Sequence, residues 1–421
     1  MKTHPSRILL LALLLFACPV LAEAPHELLG ADVESLLAVA RLNNPELAAL
    51  RYETQAAGER IQPAGALPDP TLRTELRDID NQRTSNPNLL PGRIGSTKYT
   101  LIQPVPFWGK RDLRREIAEA GSTQAKGQAD AAWSDLAARI KTTYAQYYSL
   151  SQAAMLTREI LDLTANLAKI TQARYSGGLV PQQDAIRAQV EQTALRSELV
   201  ALDNERHHAM VRLNALLKRP PPAPLAEPRE LRALPAGYDL AALENQLRAR
   251  NPQLASDEAR IAAAGKTHEL VQRNRFPDFN LGISPIQRGS GISEWELMIE
   301  FNIPLQQETR RSQEREAQAM LAAAEARKEA TLNQLVSTLA ENLSALESAQ
   351  RTEQLARDEL LPQAELTYQA ALAGYETGKV DFATLLESQR QIRKAKLDRI
   401  KAQVEARVRL AEIERLLGED L

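Results

Sequence analysis

The 23 prolines of this 421-residue chain leave four long windows untouched, at residues 107–180, 182–219, 305–361 and 363–421. Proline inside a helix costs on the order of 3 kcal/mol, so these windows are where uninterrupted helix is permitted. They are rich in Ala, Leu, Glu, Gln, Arg and Lys, and Arg111 to Tyr175 predicts one helix of roughly 100 Å at about 1.5 Å per residue. A compact domain cannot hold such a rod, and helices of this length need partners along their sides. Leu332, Leu335, Leu339, Leu343 and Leu346 step by three or four residues, as in a coiled coil, while Ala322, Ala323, Ala324 and Ala326 allow close approach.

Tyr175-Ser176-Gly177-Gly178-Leu179-Val180-Pro181 ends the first window: glycine suits a left-handed cap and proline a new helix start, so a helical hairpin with its tip at 175–181 is expected. Tyr375-Glu376-Thr377-Gly378-Lys379-Val380 repeats the pattern at an offset of 200 residues and predicts a second tip at 374–380. Asn44-Pro45-Glu46-Leu47 returns as Asn251-Pro252-Gln253-Leu254, Pro68-Asp69 as Pro277-Asp278, and Leu216-Leu217 as Leu416-Leu417. The chain is a tandem duplication, with repeats at 25–219 and 236–421 and a stiff Pro-rich linker at 220–235.

After the first helix of each repeat the period changes to two. Strands are expected at about 70–79 and 97–105, and again at 278–286 and 293–303, joined by loops 81–95 and 286–292. In the last strand Trp295, Leu297, Ile299, Phe301 and Ile303 alternate with Glu296, Met298, Glu300 and Asn302. A soluble hairpin shows the same alternation, but here Phe107, Phe276, Phe279 and Phe301 are four of six phenylalanines, and Trp108 and Trp295 two of three tryptophans. Aromatics gathered at strands and their ends are what the interfacial girdles of an outer-membrane barrel require, with Trp295, Leu297, Ile299 and Phe301 facing lipid.

The N-terminus agrees with export. Lys2 and Arg7, the apolar run Ile8 to Phe16, and small residues before a cleavage point near 22–24 predict a signal peptide over 1–24. Alternatively, a lipoprotein signal ends at Cys18, which would then be lipidated. Four strands cannot close a barrel, and open edges in lipid leave backbone groups unpaired at several kcal/mol each. Oligomerisation must supply the missing wall; three copies give twelve strands and an aqueous lumen. The expected fold is mainly α with a small β part, made of long antiparallel helical hairpins and four strands per protomer.

Composition removes other classes. With 52 basic against 54 acidic side chains and no basic cluster, no nucleic acid is expected. Cys18 is the only cysteine and the five histidines are scattered, so no metal site or cofactor is expected; His207-His208 reads as a polar helix face. There is no Gly-rich phosphate loop, HExxH run or nucleophile–His–Asp arrangement, and no catalytic residue is assigned; the chain does not read as an enzyme.

The duplicated Asn-Pro-x-Leu starts, Leu67-Pro68-Asp69-Pro70 and Phe276-Pro277-Asp278-Phe279 before outward strands, and Gln103-Pro104-Val105-Pro106-Phe107-Trp108-Gly109-Lys110-Arg111 and Ile303-Pro304-Leu305 after inward ones form a specific combination. It resembles the TolC-type outer membrane efflux family (outer membrane factors) over nearly the whole mature chain. The length, the Pro-Phe-Trp-Gly-Lys-Arg stretch and the second tip look most like its heavy-metal (CzcC/CusC-like) branch. The resemblance implies a homotrimer in the outer membrane of a Gram-negative bacterium, its helical hairpins forming a trimeric α-barrel as a large periplasmic extension and its four strands per protomer a 12-stranded transmembrane β-barrel, docked to a periplasmic adaptor (membrane fusion protein) and an inner-membrane RND-type pump. By the same resemblance Gly177, Gly178, Leu179, Thr377, Gly378 and Lys379 are adaptor-contacting tips, although glycine there also simply caps a helix. Asp381 and Glu387 are candidates for a periplasmic gate, or equally a solvated helix start. The implied function is passive conduction of heavy-metal cations; the alternatives are a multidrug or type I secretion duct of the same family, or, in another class, a periplasmic coiled-coil adaptor or scaffold.

Overall fold

The computed structural model describes residues 29–79, 89–235 and 237–421. The export segment with Cys18, and most of loop 81–95, lie outside the described residues. Among the described residues there are ten α-helices and four strands: α1 Val33–Asn43, α2 Pro45–Glu59, α3 Ile61–Gly65, β1 Thr71–Arg77, β2 Ser96–Val105, α4 Lys110–Ser176, α5 Gln182–Leu216, α6 Leu240–Arg250, α7 Pro252–Arg273, β3 Phe279–Arg288, β4 Gly291–Phe301, α8 Gln307–Leu355, α9 Leu361–Glu376 and α10 Phe382–Leu417. Short helices, two strands and a long hairpin thus occur twice in the same order.

Each repeat begins with a pair of helices rather than a single one. The break falls at Asn44-Pro45 and Asn251-Pro252, because a residue before proline is pushed out of helical backbone and both asparagines are extended. Each asparagine then does two jobs. Its Oδ1 caps the following helix, Asn44 accepting from Glu46 and Leu47 N–H and Asn251 from Leu254 N–H. Its Nδ2 donates to the end of the long helix of the same repeat, Asn44 to Leu216 O at 3.1 Å and Asn251 to Leu416 O at 2.7 Å. The repeated Asn-Pro and Leu-Leu pairs therefore meet in space. Asn251→Ala is expected to cost about 2–3 kcal/mol, a lost cap plus a stranded buried carbonyl, in denaturant unfolding. Asn251→Asp should recover the cap alone.

Pro362 separates two windows in the sequence, yet helix runs through it. Ala356–Leu360 is wound as a π-turn in which Leu361 N–H donates to Ala356 O. The wider turn absorbs the donor that Pro362 lacks, so α8 and α9 form one rod matching the 67-residue α4.

The cores repeat as well. In the first, Val33, Leu36, Ala40 and Leu47 pack on Leu136, Ile140, Tyr144 and Tyr147 of α4 and on Leu213 and Leu217. In the second, Leu243, Leu247 and Leu254 pack on Leu339, Leu343 and Leu346 of α8 and on Ile413, Leu416 and Leu417, with Leu332 and Leu335 at the margin. The repeats interlock where α7 crosses α4: a Cβ on Gly127 would stand 3.0 Å from Pro252 O and Ser256 N, so glycine sets that close approach. A buried Glu414 accepts from Lys141 Nζ (2.5 Å), Arg232 (2.7 Å) and Leu421 N–H (3.0 Å), tying α4, the linker and the C-terminal turn to α10. The linker itself hydrogen-bonds to residues ahead of α1, Ala226 N–H to Leu29 O and Arg229 N–H to Ala31 O.

The strands form one antiparallel sheet in the order β1-β2-β3-β4. β1 stops at Arg77, where Asp78 turns to positive φ. β3 runs on to Arg288, so its turn with β4 is tight. Among the described residues the outer edges of β1 and β4 have no partner strand.

Candidate functional site

The register builds one residue row across the whole sheet: Leu72 faces Leu101, Leu101 faces Ile283, and Ile283 faces Leu297. Tyr99, Val105, Phe279, Leu281, Trp295, Ile299 and Phe301 share that side by alternation. These are the residues that water expels, yet Leu72 is 65%, Leu297 77% and Trp295 65% exposed. The other side carries Arg73, Glu75, Arg77, Lys98, Thr100, Ser284, Glu294, Glu296 and Glu300. Lys98 Nζ lies 2.5 Å from Glu296, Arg288 3.1 Å from Glu294, and the Thr100 and Ser284 hydroxyls bond at 2.9 Å. A sheet oily on one face and ionic on the other separates hydrocarbon from water.

Where the strands enter the helices, aromatic rings collect. Phe107 stacks on Phe276 at 4.6 Å, Trp108 meets Phe279 edge-on at 5.9 Å, and Phe279 lies 6.5 Å from Phe301. Beneath them Lys110, 2% exposed at the start of α4, donates from Nζ to Phe276 O and to Asp278 Oδ1, both at 2.9 Å. Phe107 N–H also donates to Asp278 Oδ1, at 2.8 Å, and Arg273 to Trp108 O, at 3.0 Å. Asp278 thereby fastens the helix-to-strand junction of the second repeat to the strand-to-helix junction of the first. Burial alone raises its pKa, but the bonds from Lys110 and Phe107 outweigh this and hold its carboxyl below the ordinary range. A depressed carboxylate contributes stability above its unfolded pKa and loses it as pH falls through the folded value. We expect the junction to loosen below about pH 4, read by tryptophan emission, and Asp278→Asn to remove that acid-dependent step. The same substitution strands a buried ammonium and should cost about 3 kcal/mol, the low end for a broken pair because Asp278 is partly solvated.

At the other end of the rods the two tips are built alike. Gly178 and Gly378 both take φ +72°, closing a turn in which Leu179 N–H donates to Arg174 O and Lys379 N–H to Gly374 O, each at 2.8 Å. No heavy atom lies within 4 Å of where a Cβ would stand on either glycine. Gly177, Gly178, Leu179, Thr377, Gly378 and Lys379 are thus brought together as two exposed turns; Leu179 is 72% exposed. The tips differ in what lies beneath. Tyr375 is buried with Phe382, Leu385 and Leu386, whereas its counterpart Tyr175 is open. Arg174 stacks on the Tyr375 ring at 4.8 Å and donates to Tyr375 O at 3.0 Å, so the first hairpin clasps the second.

Asp381 and Glu387 stand on different faces of the start of α10. Asp381 is its N-cap, accepting Thr384 N–H at 2.8 Å, and these bonds with the Thr384 backbone and side chain lower its pKa. Glu387 is exposed, 3.9 Å from Arg390, which itself pairs with buried Glu191 on α5. Glu387 and Arg390 line a groove of about 960 Å³ between α5, α9 and α10 with Gln182, Arg187 and Val190. The clasp of Arg174 on Tyr375, the Glu191–Arg390 and Glu198–Arg393 pairs and the Lys110–Asp278 bond were missed in sequence. Among the described residues no cluster of three His, Cys, Asp or Glu is arranged to hold a metal ion.

Exposed oily strands, an ionic reverse face and paired helical rods define an outer-membrane channel with a periplasmic extension. The chain belongs to the outer membrane efflux protein family, whose profile matches residues 36–218 and 243–419. It is similar to the cobalt-zinc-cadmium resistance protein CzcC of Cupriavidus metallidurans, 24% identical over 94% of this chain and 92% of CzcC. It is also similar to the pyoverdine export outer membrane protein OpmQ of Pseudomonas putida, 24% identical over 86% of this chain and 81% of that protein. Among solved structures it matches CusC, studied for its folding and transmembrane channel formation, with a TM-score of 0.78 at 17% identity, covering 92% of each chain. The chain is an outer membrane efflux channel, and family and fold are those of channel proteins.

Proposed function

We propose that three copies of this chain close a twelve-stranded barrel continued by a helical conduit, and that the conduit passively carries heavy-metal cations out of the periplasm. The observation that carries the assembly is the sheet itself: amphipathic face to face and, among the described residues, four strands wide and open at both edges. Each unpaired edge group in hydrocarbon costs several kcal/mol, and identical copies are the simplest source of a matching edge. The glycine tips, exposed and free of neighbours, would receive a periplasmic adaptor that couples the conduit to an inner-membrane RND-type pump. Asp381 and Glu387 would line the constriction near those tips. The cargo reading is supported by the similarity to CzcC over nearly the full length of both chains.

The similarity to OpmQ favours a second cargo, pyoverdine. A deletion strain distinguishes the two when its growth is followed on cobalt, zinc, cadmium and copper salts beside drugs and iron limitation. Metal hypersensitivity restored by the wild-type chain supports the first reading; a defect confined to pyoverdine release supports the second, and a defect confined to drugs contradicts both.

A further inference from the structure

We propose a specific register for the seam between protomers: β4 of one copy pairs with β1 of the next so that Arg73 faces the partner's Glu300 and Arg77 faces the partner's Glu296. The inference rests on the trimer reading above and deepens it. The two edges run antiparallel, as neighbours in a closed barrel must when β1 leads outward and β4 leads back. Alternation restricts the choice further, because an oily residue of β1 must stand beside an oily residue of β4; any other parity turns one edge inside out.

Registers that satisfy this differ by steps of two residues, and the charges choose among them. The proposed one sets Leu72 opposite Phe301, Thr74 opposite Ile299 and Leu76 opposite Leu297 on the lipid side, and gives both arginines a carboxylate on the water side. Six of the seven residues of β1, Leu72 to Arg77, are then covered by β4. A step of two one way sets Glu75 against Glu300; a step the other way sets Glu75 against Glu296. Like charges directly across a strand pair repel. Within one protomer, among the described residues, neither Arg73 nor Glu300 has an ion-pair partner, whereas Glu75, Lys98, Glu294 and Glu296 each have one. The two unpaired charges sit on the two open edges, opposite in sign.

Barrel geometry agrees with the charges. Within one protomer Thr71, Ile102, Gly282 and Met298 form one row. In the proposed register Met298 faces the partner's Glu75, an advance of four residues per protomer. Three such advances over twelve strands give a shear of about twelve and a strand tilt of roughly 35°, within the range of closed barrels.

Cysteine cross-linking tests the register. The full-length chain has a single native thiol, Cys18, so a variant without introduced cysteines reports the background. Two pairs occupy adjacent rungs of the proposed register, Arg73→Cys with Glu300→Cys and Thr74→Cys with Ile299→Cys, and one of any two such rungs is the closely spaced kind. Two comparators are shifted by two residues, Glu75→Cys with Glu300→Cys and Arg73→Cys with Met298→Cys. Such a shift moves Cα atoms apart by about 6.7 Å along the strand, beyond disulfide reach. We expect oxidised membranes to give covalent dimers and trimers on non-reducing gels with at least one proposed pair and with neither comparator. Charge exchange gives a second reading: Arg73→Glu should lower the yield of trimer, and adding Glu300→Arg should restore it. Cross-linking by a comparator instead, or trimers that no proposed pair cross-links, would overturn the register while leaving the trimer standing. A protein that stays a single protomer in detergent would overturn the trimer and the register together.

Discussion

Leu297→Lys is expected to abolish assembly in the outer membrane. Leu297 lies in mid-strand at the end of the row that begins at Leu72, and it is the most exposed member of that row. A lysine there places an ammonium against hydrocarbon at about 2–4 kcal/mol per copy near the bilayer midplane, and a symmetric trimer incurs this three times. Leu297→Asp should act in the same direction with a smaller effect. The neighbouring Met298 points to the ionic face, so Met298→Lys meets water and Glu300 and should insert normally. Outer-membrane fractionation followed by semi-native electrophoresis reads both. If Leu297→Lys assembles as well as Met298→Lys, the faces have been assigned the wrong way round.

Gly378→Arg, and equally Gly178→Arg, should abolish export while trimers still assemble. At φ +72° any L side chain is strained by about 1–2 kcal/mol, a cost confined to the last turn of α9 or α4. Space around each glycine is open, so an arginine collides with nothing in its own protomer and obstructs only what docks from outside. Gly378→Ala carries the same backbone strain without the bulk and should retain most export, which separates steric blockade of a partner from a weakened turn. Unimpaired complementation by the arginine variants would remove the tips from the docking surface.

What could be read in advance follows from how local each signal is. Helix length was legible because proline disfavours helix at a known position, and Gly178 and Gly378 sit at positive φ in the hairpin turns. The strand over 295–301 was legible because Trp295, Leu297, Ile299 and Phe301 alternate with Glu296, Met298 and Glu300, the methionine alone breaking the polar side. The duplication located Asn44, Asn251, Leu216 and Leu416, but nothing local told that each asparagine would bond the leucine carbonyl of its own repeat. Lys110 and Asp278 lay in motifs singled out separately, 168 residues apart, and only the crossing of the two repeats brings them within 2.9 Å. Pro362 bounds two proline-free windows, and nothing in the sequence told whether helix would cross it. A π-turn costs one widened turn and lets the rod continue, so the proline marks a bulge rather than an end. The asymmetry of the tips was equally invisible: Tyr175 and Tyr375 are equivalent in sequence, and only the second is buried, packed on Phe382, Leu385 and Leu386 and covered by Arg174.

Multi-angle light scattering of the detergent-solubilised protein, with the detergent mass subtracted, is the most direct test of whether one sheet is completed by its own copies. The full chain is 46.6 kDa. A polypeptide mass close to three times that of one protomer, in a particle that conducts ions when reconstituted into a planar bilayer, is the expected result. A monodisperse single protomer that needs no detergent to stay in solution would contradict it, because the oily faces of four open strands would then have to be tolerated by water.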